Sequence, residues 1–256
     1  MRLSTRRRLS IVFAAVVASA LAACGGAGVG GGGATQNLMP QNGYTGTTGV
    51  GARKIGPINI YPGEVVGEPN KFNPHTGDSP SGGQGQKVGA ITCDKVEHIA
   101  NYHVHYYVGL LVNGKQIAIP MAIGIMHPEP ARNGYISKTQ PTGCWYWIHT
   151  HDASGMMHIE DPRSLPPSDV LFKFGAALSV WGVTASANNF AQFKGPVHVY
   201  VGNVAQLGQT TVNAYTPFTK GVAEVPLHSH TVIWIEVGAK YLKANQLPPV
   251  TFYTEY

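Results

Sequence analysis

The chain has 256 residues, 43% of them hydrophobic, enough for one domain of generous size with a substantial core. Charged residues make up only 12%, while 32 glycines and 18 prolines account for about a fifth of the chain, which argues against long charged helices and coiled coils and for a loop-rich β protein. The formal charge of +5 raises nucleic acid or an anionic membrane as a partner until its distribution is considered.

Four of the 18 basic residues, Arg2, Arg6, Arg7 and Arg8, precede an apolar run from Leu9 to Ala20. A basic segment followed by an apolar stretch too short to span a bilayer comfortably has the layout of a secretory signal. The run ends at Leu21-Ala22-Ala23-Cys24, which resembles the lipobox of bacterial lipoproteins. The resemblance implies a signal peptide over 1–23, cleavage before Cys24 and a lipid on its sulfur. It also implies attachment to a membrane of the bacterial cell envelope, facing the periplasm or the exterior. Thr5-Arg6-Arg7-Arg8-Leu9 also resembles a twin-arginine export motif. A plain signal peptide or an N-terminal anchor, with a chance cysteine, is the alternative. Removing those four arginines leaves 14 basic against 13 acidic residues, so the charge that suggested nucleic acid disappears and no nucleic-acid partner is expected.

Residues 24–52 are glycine-rich, with no charge before Arg53, and read as a flexible tether. Residues 53–90 remain rich in Pro, Gly, Ser and Asn and form a partly ordered lead-in, with Ile55–Ile60 as a possible short strand. Dense patterning over 91–256 marks a single β-rich domain. Tyr102 to Val112 alternates, with Val104, Tyr106, Val108, Leu110 and Val112 on one face and His103, His105, Tyr107 and Gly109 on the other. Asn113-Gly114 is a strong hairpin signal, and Lys115–Pro120 returns as the next strand. Trp145–His151 and Met156–Glu160 read as strands around a turn at Asp152–Gly155. Ser168–Trp181 is the best helix, with Leu171, Phe174, Leu178 and Trp181 at helical spacing and Gly182 to end it. Val197–Val201, Thr231–Val237 and Val250–Thr254 complete the strands. The expected class is mainly β with one helix (α+β), as a mixed or antiparallel sheet or a sandwich with the helix packed on it.

Cys93 and Cys144 flank the first strand pair, and in an oxidising compartment they favour a disulfide over free thiols or metal thiolates. All eleven histidines lie beyond residue 74. Five of them fall in His103-Val-His105, His149-Thr-His151 and His158-Ile-Glu160. Residues two apart on a strand share a face, about 6.5 to 7 Å apart, so each pair can point at one centre. Neutral imidazoles with a carboxylate suit a transition metal such as copper or zinc and are wrong for magnesium or calcium. Asp152 is placed to orient a ligating ring through its free N–H. His228 and His230 are possible further ligands, although a strand-entry turn explains that pattern equally well.

Glu97-His98, Tyr102-His103-Val-His105, Val112-Asn113-Gly114 and Cys144-Trp-Tyr-Trp-Ile-His149-Thr-His151-Asp152 with Gly155 and His158-Ile-Glu160 together resemble a group of uncharacterised secreted bacterial proteins. The resemblance covers roughly Cys93 to Trp181 and implies no activity.

Three functions compete. The first is an envelope lipoprotein that carries or buffers copper or zinc, exchanging it with an unidentified envelope protein that donates or accepts metal. The second is a metal-dependent hydrolase or oxygenase in which Glu160 or Asp152 acts as base. A helical His-Glu-x-x-His and a Gly-x-Ser-x-Gly elbow are both missing from the sequence. The third is a non-catalytic surface module that binds through Trp145, Tyr146, Trp147 and Trp181.

Overall fold

The computed structural model describes residues 56–68, 82–129, 134–204 and 208–253, which belong to one unit, Gly33–Tyr256. The expected signal segment, Cys24, the tether and His75 lie outside the described residues. In chain order the strands are β1 (Ile58–Asn59), β2 (Cys93–Asp94), β3 (Tyr102–Val112), β4 (Lys115–Ile117), β5 (Ile125–Pro128), β6 (Thr139–Tyr146), β7 (Ile148–His149) and β8 (Met156–Asp161). Helix α1 (Phe174–Trp181) follows, then a small meander of β9 (Ala185–Ser186), β10 (Asn189–Phe190) and β11 (Phe193–Lys194). The last strands are β12 (Val197–Gly202), β13 (Thr211–Val212), β14 (Thr216–Pro217), β15 (Val232–Val237) and β16 (Val250–Thr251). The described chain is therefore α+β, mainly strand with one α-helix.

The largest sheet has the order β14-β12-β15-β3-β8-β7, with β4 also paired to β3. It is mixed, because β15 runs parallel to β3 while β4 and β8 run antiparallel to it. Asn113 and Gly114 join β3 to β4 with φ of 50° and 79°, the two positive values that a tight hairpin turn of this kind demands. The alternation of β3 then sorts its side chains. Val104, Tyr106, Val108 and Leu110 pack with Phe174, Ala177, Leu178 and Trp181 of α1 in the main core. On the opposite face, Tyr107 and Leu111 join Trp234, Tyr200, Ile58 and Val250 in a second apolar cluster. Gly109 is needed there, because a Cβ would lie 2.3 Å from Trp234 Cζ3. His103 and His105 occupy the other end of that same face.

Some expected elements differ from what forms. Strand β4 stops at Ile117 rather than Pro120. The helix begins at Phe174 rather than Ser168, because Asp169 N turns back to Pro166 O (2.9 Å) and Phe172 then runs extended, its carbonyl accepting from Leu227 N (3.0 Å). Gly182 does end it, with φ 78° and its N–H on Leu178 O. The expected strand Trp145–His151 is broken at Trp147. Before the break β6 pairs with β2 and β5, and after it β7 pairs with β8 in the large sheet. The lead-in also reaches the core, where Ile58, Ile60, Val65 and Val66 are buried.

Cys93 and Cys144 form the disulfide, with their Cα atoms 5.4 Å apart. It ties β2 to β6 and so fixes where the following loop, Lys95–Asn101, emerges.

Candidate metal centre

Strand register brings the histidine motifs together. His103 stands opposite Glu160 and His105 opposite His158 on β3 and β8, while His149 of β7 stands opposite His158 from the other side. His105, His158 and His149 therefore form a row across three neighbouring strands, with all side chains on one face. His151 follows two residues after His149 and meets the same space. The donor atoms fall into two groups, His149, His151, His158 and Glu160 in one and His103, His105 and His158 in the other, with the atoms of each group within 4.8 Å of one another. His105, His149, His151, His158 and Glu160 are all buried, and His103 is partly exposed at the edge.

The hydrogen bonds fix where the protons sit. His149 Nδ1 donates to Tyr146 O at 2.8 Å, and His151 Nδ1 donates to Ile136 O. A carbonyl only accepts, so both neutral rings carry their proton on Nδ1 and present a bare lone pair at Nε2. Those two Nε2 atoms face each other at 3.2 Å. Protonating one ring would relieve the conflict, but burial opposes it. Burial holds the His149, His158 and His105 rings well below the usual histidine range, and the neighbouring rings add to this. Burial lowers His151 to about 4.

Carboxylates close the space. Glu160 Oε1 lies 3.4 Å from His103 Nε2, 3.6 Å from His158 Nδ1 and 3.7 Å from His149 Nε2. Its Oε2 is buried without a hydrogen-bond partner. Glu97, which sequence reasoning did not select, places Oε1 3.4 Å from His151 Nε2 and 3.9 Å from His149 Nε2. Burial raises Glu160 to about 8, with Glu97 adding to the effect, and raises Glu97 to about 7. Without a cation these carboxyls retain protons that a metal would displace. Tyr135 stacks on His151 with ring centroids 4.9 Å apart, and Trp145 lies 5.5 Å from the His149 ring, giving the site an aromatic wall.

Asp152 does not orient an imidazole. Its Oδ2 accepts from Gly63 N (2.7 Å) and its Oδ1 from Ser154 N (2.9 Å) and Ser154 Oγ (2.5 Å), so it organises the turn after β7. Main-chain carbonyls orient the rings of His149 and His151 instead. His228 and His230 stay outside both donor groups. His230 instead donates its main-chain N–H to His105 O at 2.7 Å and leans its ring on Phe252. The aromatics of the surface-module alternative are also mostly internal. Trp145, Tyr146 and Trp181 are buried, and Trp147 donates its indole N–H to Asp94 at 2.7 Å.

No protein-family model, curated protein or solved structure matches the chain, so the functional conclusion rests on the site itself. A buried group of imidazoles and a carboxylate stands ready to hold a metal ion.

Proposed function

We propose that the protein is a cell-envelope lipoprotein that binds copper or zinc through its histidine cluster and carries or buffers that metal. The observation that carries this reading is the pair of bare Nε2 lone pairs on His149 and His151, 3.2 Å apart with both opposite nitrogens committed to carbonyls. Two lone pairs 3.2 Å apart are spaced as neighbouring ligands of one ion, each about 2.0–2.1 Å from it. Three neutral imidazoles and a carboxylate complete the four donors of a closed zinc or copper site. Burial of the whole set favours retention of an ion over open access for a substrate. The disulfide Cys93–Cys144 supports an oxidising compartment. The signal-like residues 1–24 support export and a lipid anchor, with an envelope protein as donor or acceptor of the metal.

The test is to purify the full chain from medium of defined metal content and measure bound metal for wild type and His149→Ala/His151→Ala. Wild type should hold metal in stoichiometric amount and the double variant should lose it. Absence of metal from wild type after reconstitution with both Cu²⁺ and Zn²⁺ would remove the proposal. X-ray absorption on the loaded protein should show a shell made of protein donors; a coordinated water would turn the reading toward catalysis.

A further inference from the structure

The cluster contains more donors than one ion uses. Five imidazoles and two carboxylates converge, whereas a closed site for copper or zinc takes about four. The surplus is also arranged in space. At one end, His149 Nε2 and His151 Nε2 face each other with Glu97 Oε1 beside them. At the other end, His103 Nε2 is buried without a hydrogen-bond partner, 3.4 Å from Glu160 Oε1. His103 is held by a hydrogen bond to the backbone of Ile99. Since Nε2 is unpartnered, that bond uses Nδ1 as donor, and Nε2 is again a lone pair. Each end of the cluster thus presents a bare imidazole nitrogen beside a carboxyl oxygen.

Between the two ends stand two further donors, His158 and Glu160. His158 belongs to both donor groups, its ring centroid 4.4 Å from His105 on one side and 4.4 Å from His151 on the other. Glu160 places Oε1 among His103, His149 and His158 while Oε2 stays buried and unpartnered. A carboxylate with one oxygen among both sets and one uncommitted is suited to bridge two ions, which two-metal centres hold about 3.5–4 Å apart.

We infer that the site is dinuclear, with one ion held by His149, His151 and Glu97, a second by His103 and His105, Glu160 bridging them, and His158 completing the shell of one of the two. This rests on the metal-binding function proposed above and adds a second ion to it.

The full chain, loaded with Cu²⁺ and passed through a desalting column, should retain two ions per molecule. Its electron paramagnetic resonance spectrum should show magnetic coupling, as a half-field signal or as lost intensity relative to total copper. His103→Ala/His105→Ala should retain one ion and give the full, uncoupled spectrum of a single copper. His103→Gln, a milder change, should also weaken retention of the second ion about tenfold or more, which keeps the question answerable if the double variant does not fold. One ion per wild-type chain at saturation would overturn the dinuclear centre and leave the metal-binding function standing. Two uncoupled ions insensitive to His103 and His105 would also overturn it. No retained ion would overturn both.

Discussion

The two faces of β3 are built from one alternating stretch of eleven residues, yet they obey different physics. On one face Val104, Tyr106, Val108 and Leu110 meet the apolar side of α1, and burial stabilises the fold in proportion to area removed from water. On the other, His103 and His105 meet His158, Glu160 and His149, groups whose desolvation costs energy unless a partner compensates it. The fold is thus carried by the first face and by the Tyr107–Leu111 end of the second, and the histidine end is carried by the fold until a cation arrives. Perturbations of the two faces should separate accordingly.

The largest effect is expected on the apolar face. Trp181 is fully buried in the main core, and Trp181→Ala should cost about 3–5 kcal/mol, read by urea denaturation, with metal stoichiometry unchanged in the folded fraction. Loss of bound metal in proportion to folded protein would show that the two faces are not independent. The disulfide should come next. It joins residues 51 apart, and by loop entropy Cys93→Ser/Cys144→Ser should cost about 4 kcal/mol or less. Because it also fixes the loop that carries Glu97, this variant alone among the stability variants should release metal faster.

A third perturbation inverts the comparison. Free zinc at about 100 times its dissociation constant should add about 2.7 kcal/mol to wild type, and a chelator should remove it. His151→Leu should remove the part of that gain due to the ion it holds, while leaving metal-free stability within about 1 kcal/mol of wild type, since it deletes one of two opposed lone pairs as well as a hydrogen bond. A metal-free loss of the size seen for Trp181→Ala would instead make His151 an ordinary core residue.

His103 with His105 and His158 with Glu160 were legible in the sequence because a period of two along a strand fixes which side chains share a face, whereas His151 lies past the end of β7 and reaches the site from a bend. The register that lines up His105, His158 and His149 was not legible, since it depends on which strands are neighbours. Glu97 was not legible as a ligand for a related reason. It sits in an aperiodic loop, held over His149 and His151 by the Cys93–Cys144 link, the pairing of β2 with β6 and the bonds of Lys95 to Thr142 O and Gly143 O. Its signals were its place in the Glu97-His98 motif and its position four residues after a cysteine expected to be bridged. Asp152 misled because an aspartate two residues before a serine serves a turn as well as it serves an imidazole. Trp147 hid a change of sheet inside an unbroken run of strand-forming residues, and the Pro166-Pro167 turn removed the first half of a helix whose apolar spacing was otherwise regular.

The smallest predicted effect compares two buried carboxylates of the same sheet. Glu160 faces imidazoles, whereas Glu236 on β15 accepts a single hydrogen bond, from Leu242 N at 2.7 Å, and leaves Oε1 buried without one. Burial raises Glu236 from the ordinary 4.5 to about 7, partly offset by that hydrogen bond. Between those values the folded chain binds more protons than the unfolded chain, so stability is highest below pH 4.5 for this group and falls as pH rises through about 7. Glu236→Gln keeps an acceptor for Leu242 and removes the titration. It should therefore gain about 1–2 kcal/mol over wild type at pH 8 and nothing near pH 4.5, read as the difference between their urea midpoints across that range. No metal-dependent change should accompany it, because Glu236 belongs to neither donor group. An equal difference at both pH values would mean that Glu236 is not titrating and that its buried oxygen is satisfied in solution.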